Sequence, residues 1–349
     1  MLKEGLEMIG TIRSYSFWLA VVMTLICAVI GTFLAQLPYL SLFGALIIAL
    51  ILGMFFQSSK KLVNQASGGI AFISNKFLRL GIILLGFKLN LVQLAQAGIK
   101  TILLAIVIVT GTIFLTYLIE RKFGVEPELA ILAASGTGIC GAAAVMGISP
   151  QIKVAPEKLE RQHENEVLAV AIVAIMGTVF TFIDLGLKPL LDLTPTQFGV
   201  FVGGSLHEIA HAVAAGSAAG PVGLDNAIIT KLSRVLMLAP AALLIGFWYQ
   251  KKSKQDNTEK EGTAKLPIPW FMAGFILASV VGTFAPLGTN MLNILVKAAY
   301  IFLGMAMSAL GMSVNFKVIL KRGLPAFAAV FISSIILGIF VLTVSKLWF

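Results

Sequence analysis

The sequence predicts an all-α integral membrane protein, and three observations predict it. Of 349 residues, 58% are apolar and only 12% are charged, about half the charged share of a soluble domain. The apolar residues fall in blocks of roughly the 20-residue length that carries a helix across a hydrocarbon core. The alternating pattern of a membrane β-barrel is missing from the sequence. Such a chain has too little polar surface to cover itself in water, which excludes a soluble enzyme.

The opening stretch carries mixed charges and runs directly into Phe17–Leu37. That block is too long for a cleaved signal, so it reads as the first membrane helix. Ten further apolar segments follow: Leu42–Phe56, Ile70–Phe87, Thr101–Ile119, Leu129–Gly147, Val167–Leu187, Phe198–Ala219, Asn226–Tyr249, Trp270–Ala285, Met291–Met312 and Leu324–Leu347. The one long hydrophilic connection, residues 251–265, leaves no room for a separate soluble domain. Cys27 and Cys140 both lie in apolar or glycine-rich context, which argues against a disulfide framework. The net charge of +10 sits mostly in short loops, where Lys and Arg set membrane orientation. No nucleic-acid partner is expected; the bilayer is.

The two ends of the chain are related. Gly86-Phe-Lys-Leu-Asn90-Leu, followed by Gly98, matches Gly311-Met-Ser-Val-Asn315-Phe, followed by Gly323, and Ala49 to Phe55 resembles Ala278 to Phe284. If all segments span, the matched helices lie an odd number of crossings apart and run in opposite directions. Two inverted halves, 1–190 and 191–349, are the pattern of secondary transporters. Glycine-rich helices also resemble one another by chance, which is the alternative explanation of the same likeness.

Loop charge adds to this. With a cytoplasmic N-terminus, Lys60 and Lys61, Arg121 and Lys122, Lys251 to Lys265, and Lys317 to Arg322 fall inside. The loop with Lys153, Lys158 and Arg161 disobeys, unless Leu129–Gly147 and Phe198–Ala219 each enter the membrane and return to the side they came from. Two re-entrant segments or two broken spanning helices both remain open, giving about nine to eleven membrane segments.

Both segments are rich in glycine. The first reads Ser135-Gly136-Thr137-Gly138-Ile-Cys140-Gly141. Three glycines break a helix, and the helix restarting at Gly141 aims its positive end at the break, where an anion can sit. Thr137, Ser135 and Cys140 add small polar groups. The second contains Gly203-Gly204-Ser205-Leu-His207-Glu208-Ile-Ala-His211, whose Gly204 and Ser205 align with the first. On a continuous helix, Glu208 and His211 share a face, as do His207 and His211. Ionisable groups at membrane depth default to function.

His207-Glu-Ile-Ala-His211 also fits the HExxH pattern of zinc proteases. A catalytic zinc needs a third ligand, and His163, Asp184, Asp192, Asp225 and the two cysteines lie in no evident ligand motif. No metal or cofactor is expected. Of the other intramembrane charges, Lys76 and Arg79 read as snorkelling to the interface, and Lys297 carries no assignment. Lys231 and Arg234, in the first turns of their helix, could balance an anion. Asn90 and Asn315 could cap helix ends or touch substrate.

From Gly136-Thr-Gly-Ile-Cys-Gly-Ala-Ala-Ala to Ser149-Pro-Gln-Ile-Lys153, and again at His207-Glu-Ile-Ala210, the chain resembles the sulfate exporter family of bacterial membrane proteins. The likeness runs from about residue 15 to the C-terminus. It implies a place beside cation–proton antiporters and bile-acid-type symporters, with inverted repeats and discontinuous helices. It implies Gln as the common residue at position 211, so that the HExxH match is coincidental. The expectation is a multi-pass protein of the inner (plasma) membrane that is not an enzyme. It exports sulfate or a related oxyanion or organosulfonate, with coupling to protons or sodium and room for a homodimer. Substrate contacts are expected at Ser135, Gly136, Thr137, Gly138, Cys140, Gly141, Gly204 and Ser205, and proton coupling at His207, Glu208 and His211. A cation–proton antiporter is the first alternative and an intramembrane zinc protease the second.

Overall fold

The computed structural model describes residues 11–37, 44–57, 59–96, 98–152, 154, 156–255, 270–285, 287–313 and 322–349, and every regular element among them is helical. Seven helices there are long and apolar enough to cross a membrane. Asn315 and Lys153 lie outside the described residues.

The chain forms two compact units. Unit 1 is Met1–Asn90 with Gly274–Val314, and unit 2 is Leu91–Ala273 with Asn315–Phe349. Each unit therefore takes pieces from both halves of the sequence.

Unit 1 holds α1 (Tyr15–Leu34), α2 (Gly44–Phe56), α3 (Lys60–Phe72) and α4 (Leu78–Leu85). Most of α14 (Trp270–Phe284) and all of α15 (Thr289–Met312) belong to it as well. Ser14 caps α1 by accepting a hydrogen bond from the Phe17 N–H. A π-helical turn, Ile73–Phe77, joins α3 to α4, so the third membrane helix begins at Lys60 rather than at Ile70. Polar residues of its first turns face out while Ala66, Gly69 and Ile70 pack inward. Phe17, Met23 and Cys27 of α1 meet Ile70, Ile73, Met305 and Met312 in the unit's core. Of the two cations read as snorkelling, Lys76 is exposed and Arg79 is half-buried; Lys297 is exposed.

Four of the six repeat-matched glycines serve close helix packing here. Gly53 lies on the Ser308 backbone and Gly311 on Leu50, which brings α2 against α15. Gly86 lies on the Phe275 carbonyl and Gly282 on Phe87, which brings the end of α4 against α14. A methyl group at any of the four would meet backbone atoms.

Unit 2 begins with α5 (Leu91–Gln96), just after Asn90, and α6 (Ile99–Lys122). The first glycine-rich segment splits into α7 (Pro127–Gly138) and α8 (Ala142–Ile148). After α9 (Leu159–Leu191), the second splits into α10 (Pro195–Ser205) and α11 (Ile209–Ser217). Thr194 and Gln197 form a capping box at the start of α10, with Pro195 at its first position. The segment expected as one helix from Asn226 is α12 (Gly220–Leu236) followed by α13 (Leu238–Gln255), and α16 (Leu324–Trp348) closes the unit.

Candidate functional site

Both broken segments of unit 2 fold back as hairpins. Glu126, at the entrance of the first, pairs with Arg161, and Ser149, at its exit, bonds Glu166 and accepts from Gln162 at 3.0 Å. Both ends therefore lie beside the opening turns of α9. Gly136 packs against Val145 across the bend, a contact nine residues apart that a straight helix would hold about 13 Å apart. For the second hairpin, the Pro195 and Gly216 carbonyls both approach Gly223 near the start of α12, and Lys188 near the end of α9 donates to the Ala218 carbonyl. Arg161 and Lys188 lie about 40 Å apart along α9. The segments are thus re-entrant, enter from opposite ends, and place their tips midway, where Gly136 meets Val173 and both His207 and His211 meet Gly177.

Two buried cations hold the tips together. Arg234 uses all five of its N–H donors: Nε on Gly138, Nη1 on Gly204 and Leu206, and Nη2 on Thr137 and Gly138 carbonyls, at 2.5–3.1 Å. Lys231 Nζ donates to Ile139, Leu206 and His207 carbonyls at 3.1, 2.6 and 2.7 Å. These carbonyls form the negative ends of α7 and α10, which have no partners within their own helices. Because α12 starts at Gly220 rather than Asn226, both cations lie in its last two turns, not its first. With every donor taken, neither can bond a substrate without releasing a hairpin tip.

The positive ends face one carboxylate. Glu208 precedes the first residue of α11 and packs on Gly141, beside the Ala142 N–H at the start of α8. Gly141 has φ 76° and ψ −135°, a backbone region open essentially to glycine, and a methyl group there would strike Glu208. The start of α8, where an anion was expected, thus receives the protein's own carboxylate.

The break falls inside the HExxH pattern and overturns the shared helix face expected for its residues. His207 lies outside α11, between extended Leu206 and Glu208, its Nε2 3.0 Å from Ser334 Oγ, whereas His211 Nε2 lies 3.4 Å from Thr178 Oγ1. The two imidazoles therefore address different hydroxyls rather than one ion. Among the described residues no three His, Cys, Asp or Glu side chains gather as a metal site.

Four buried polar atoms here make no well-formed hydrogen bond: both Glu208 oxygens, which have only the Ala142 N–H close by, and the Nδ1 atoms of His207 and His211. Ser135 and Thr137 spend their hydroxyls on the Ile131 and Ala133 carbonyls of their own helix, at 2.6 and 2.8 Å. Cys140 is buried at the bend. Ser205 Oγ lies 2.8 Å from the Phe201 carbonyl and 3.0 Å from Asp184, a buried carboxyl considered from sequence only as a metal ligand. Its signal was legible, since it is an acid inside an apolar block. Thr178 and Ser334 gave no signal; hydroxyls in apolar helices are common, and only the fold brings these two to the imidazoles.

A family model described as "Conserved hypothetical protein 698" matches residues 19–330. The chain belongs to this family. It is 62% identical over 347 residues to a "UPF0324 membrane protein" of Lactobacillus johnsonii, covering 98% of this chain and all of that one. It is 51% identical to a UPF0324 membrane protein of Bifidobacterium longum, with 94% of each chain covered, and 42% identical to one of Bacillus cereus, with 94% of this chain and 90% of that one covered. Family members are named as membrane proteins, which agrees with the apolar helices of this chain.

Proposed function

We propose that this protein is a secondary transporter of the bacterial plasma membrane that exports a small anion, sulfate or a related oxyanion or organosulfonate, with Glu208 carrying a coupling proton. The observation that carries this reading is the cluster of partnerless atoms on Glu208, His207 and His211 between two opposed hairpin tips. Partnerless buried polar atoms are costly, about 1–3 kcal/mol each, so a site that keeps four of them is built for an occupant that comes and goes. Lys231 and Arg234 stand at the tips with Glu208 and, on Ser205, Asp184, and their field offsets the charge of an incoming anion even though their donors are spent. Opposed half-helices in two inverted halves support alternating access. The likeness at residues 136–153 and 207–210 supports sulfate or a sulfonate as cargo. Loop charge supports a cytoplasmic N-terminus, and nothing in this reading calls for enzymatic chemistry or a cofactor.

The test is flux into proteoliposomes of purified protein, with labelled sulfate, sulfite, thiosulfate and short sulfonates under an imposed pH gradient. One of these should move, and Glu208→Gln should abolish the part driven by the gradient. If none moves and none raises the protein's melting temperature, the anion reading falls. One observation favours a cation–proton antiporter instead: every donor of Lys231 and Arg234 is occupied, leaving acceptors as the free groups. Sodium or lithium driving proton movement with no transported anion would establish that alternative.

A further inference from the structure

A second cluster of unsatisfied oxygens lies away from the hairpin tips. Thr116 and Glu120 stand one turn apart on the buried face of α6, both fully buried. Thr116 Oγ1 and both carboxyl oxygens of Glu120 have no hydrogen-bond partner. Thr24, Thr137, Thr178 and Thr181, by contrast, return their hydroxyls to the carbonyl four residues back. Glu120 lies in the last turn of α6, where the helix dipole favours a cation and penalises a carboxylate. A carboxyl that is buried, unbonded and at the wrong end of a helix either holds a proton or takes a cation beside it.

We propose that Glu120 and Thr116 form a binding site for one alkali cation, sodium fitting best among those tested below. The ligands are all hard oxygens, and a single carboxylate neutralises one charge. A divalent ion would require more acid than the described residues gather here. A cavity of about 210 Å³ opens at the α6–α7 turn, lined by Gly124, Val125, Glu126, Leu129, Arg322 and Pro325. Its wall is tied to the backbone of Glu120, whose carbonyl accepts from the Val125 N–H at 3.0 Å. The site stands whether or not the hairpin tips carry an anion.

The test is thermal unfolding of the full chain in detergent, titrating sodium chloride against choline chloride at constant ionic strength, with lithium and potassium as parallel series. Sodium should raise the melting temperature saturably. Glu120→Gln should remove that rise, and Thr116→Val should raise the half-saturating concentration about tenfold, the loss of one good ligand contact. Glu208→Gln should leave the rise intact. The proposal is overturned if no alkali cation acts differently from choline, if the rise survives Glu120→Gln, or if Glu208→Gln removes it. Should Glu120→Gln fail to fold, the tenfold change in Thr116→Val decides alone, and an unchanged half-saturation overturns the site.

Discussion

At the scale of single residues, the centre of unit 2 depends on donor count more than on charge. Arg234 fills a planar fork of five donors with four carbonyls from two hairpins. Lysine offers three donors from one nitrogen and cannot span the same positions. Arg234→Lys keeps the charge yet should leave at least one buried carbonyl without a partner, at a cost of about 1–3 kcal/mol. The expected result is a lower melting temperature in detergent with unchanged expression of the membrane-inserted protein. A variant as stable as the parent would show that charge alone holds the tips. Gly141→Ala should be as damaging for a different reason. Its positive φ and the contact with Glu208 combine strain of about 1–3 kcal/mol with displacement of the Glu208 carboxylate, so stability and proton-driven flux should fall together.

At the scale of elements, the base of the first hairpin is tied shut by charges. Glu126 pairs with Arg161 and Arg322, and Arg322 reaches Glu164 and Asn165 as well, joining the α6–α7 turn to α9 and α16. The Arg161 hydrogen bond, helped by Arg322, holds the Glu126 carboxyl below its ordinary range. A depressed carboxyl contributes stability above its unfolded value, near 4.3, and loses it as pH falls through the folded value. The melting-temperature gap between the parent and Arg161→Ala should therefore be present at neutral pH and shrink below about pH 4.3. The gap should be small, under about 1 kcal/mol, since both side chains are more than a third exposed and solvent screens them. A gap that persists unchanged at low pH would assign Arg161 a packing role instead. The elements themselves were largely legible in the sequence. The break within 136–141 followed from glycine spacing, because a local backbone preference writes itself into local sequence, whereas the second break, expected at 203–205, falls after Ser205 and before Ile209. The start of the third membrane helix at Lys60 was not legible, since its first turns are polar on the outside and only their inner face is apolar. The partners of Lys231 and Arg234 were hidden for another reason. They are carbonyl groups, which every residue carries, so no side-chain pattern announces them.

At the scale of the whole molecule, the decisive feature is that two hairpins enter unit 2 from opposite ends, and loop charge had already hinted at it. Lys158 and Arg161 disobeyed the charge rule only while the first segment was taken to cross. In the structure Arg161 meets Glu126 and Arg322, so these loops share the end of unit 2 at which α6 finishes with Arg121 and Lys122. Lys188 and Ala218 mark the other end. Sequence could not separate a re-entrant segment from a broken span, because the same glycines serve both; the contact of Gly136 with Val145 does. Single cysteines read this arrangement in intact cells. Lys122→Cys and Glu157→Cys flank the first hairpin, Thr196→Cys and Ser217→Cys the second, while the native Cys27 and Cys140 are buried. Against a membrane-impermeant maleimide, each pair should behave as a pair. Lys122→Cys and Glu157→Cys should label only after the membrane is opened, if loop charge sets that end in the cytoplasm, and Thr196→Cys and Ser217→Cys should label from outside. A hairpin that enters and leaves on one side forces the members of its pair to agree. Disagreement within a pair would mean that the segment crosses, and the meeting of two tips at Lys231 and Arg234 would then need a different path of the chain.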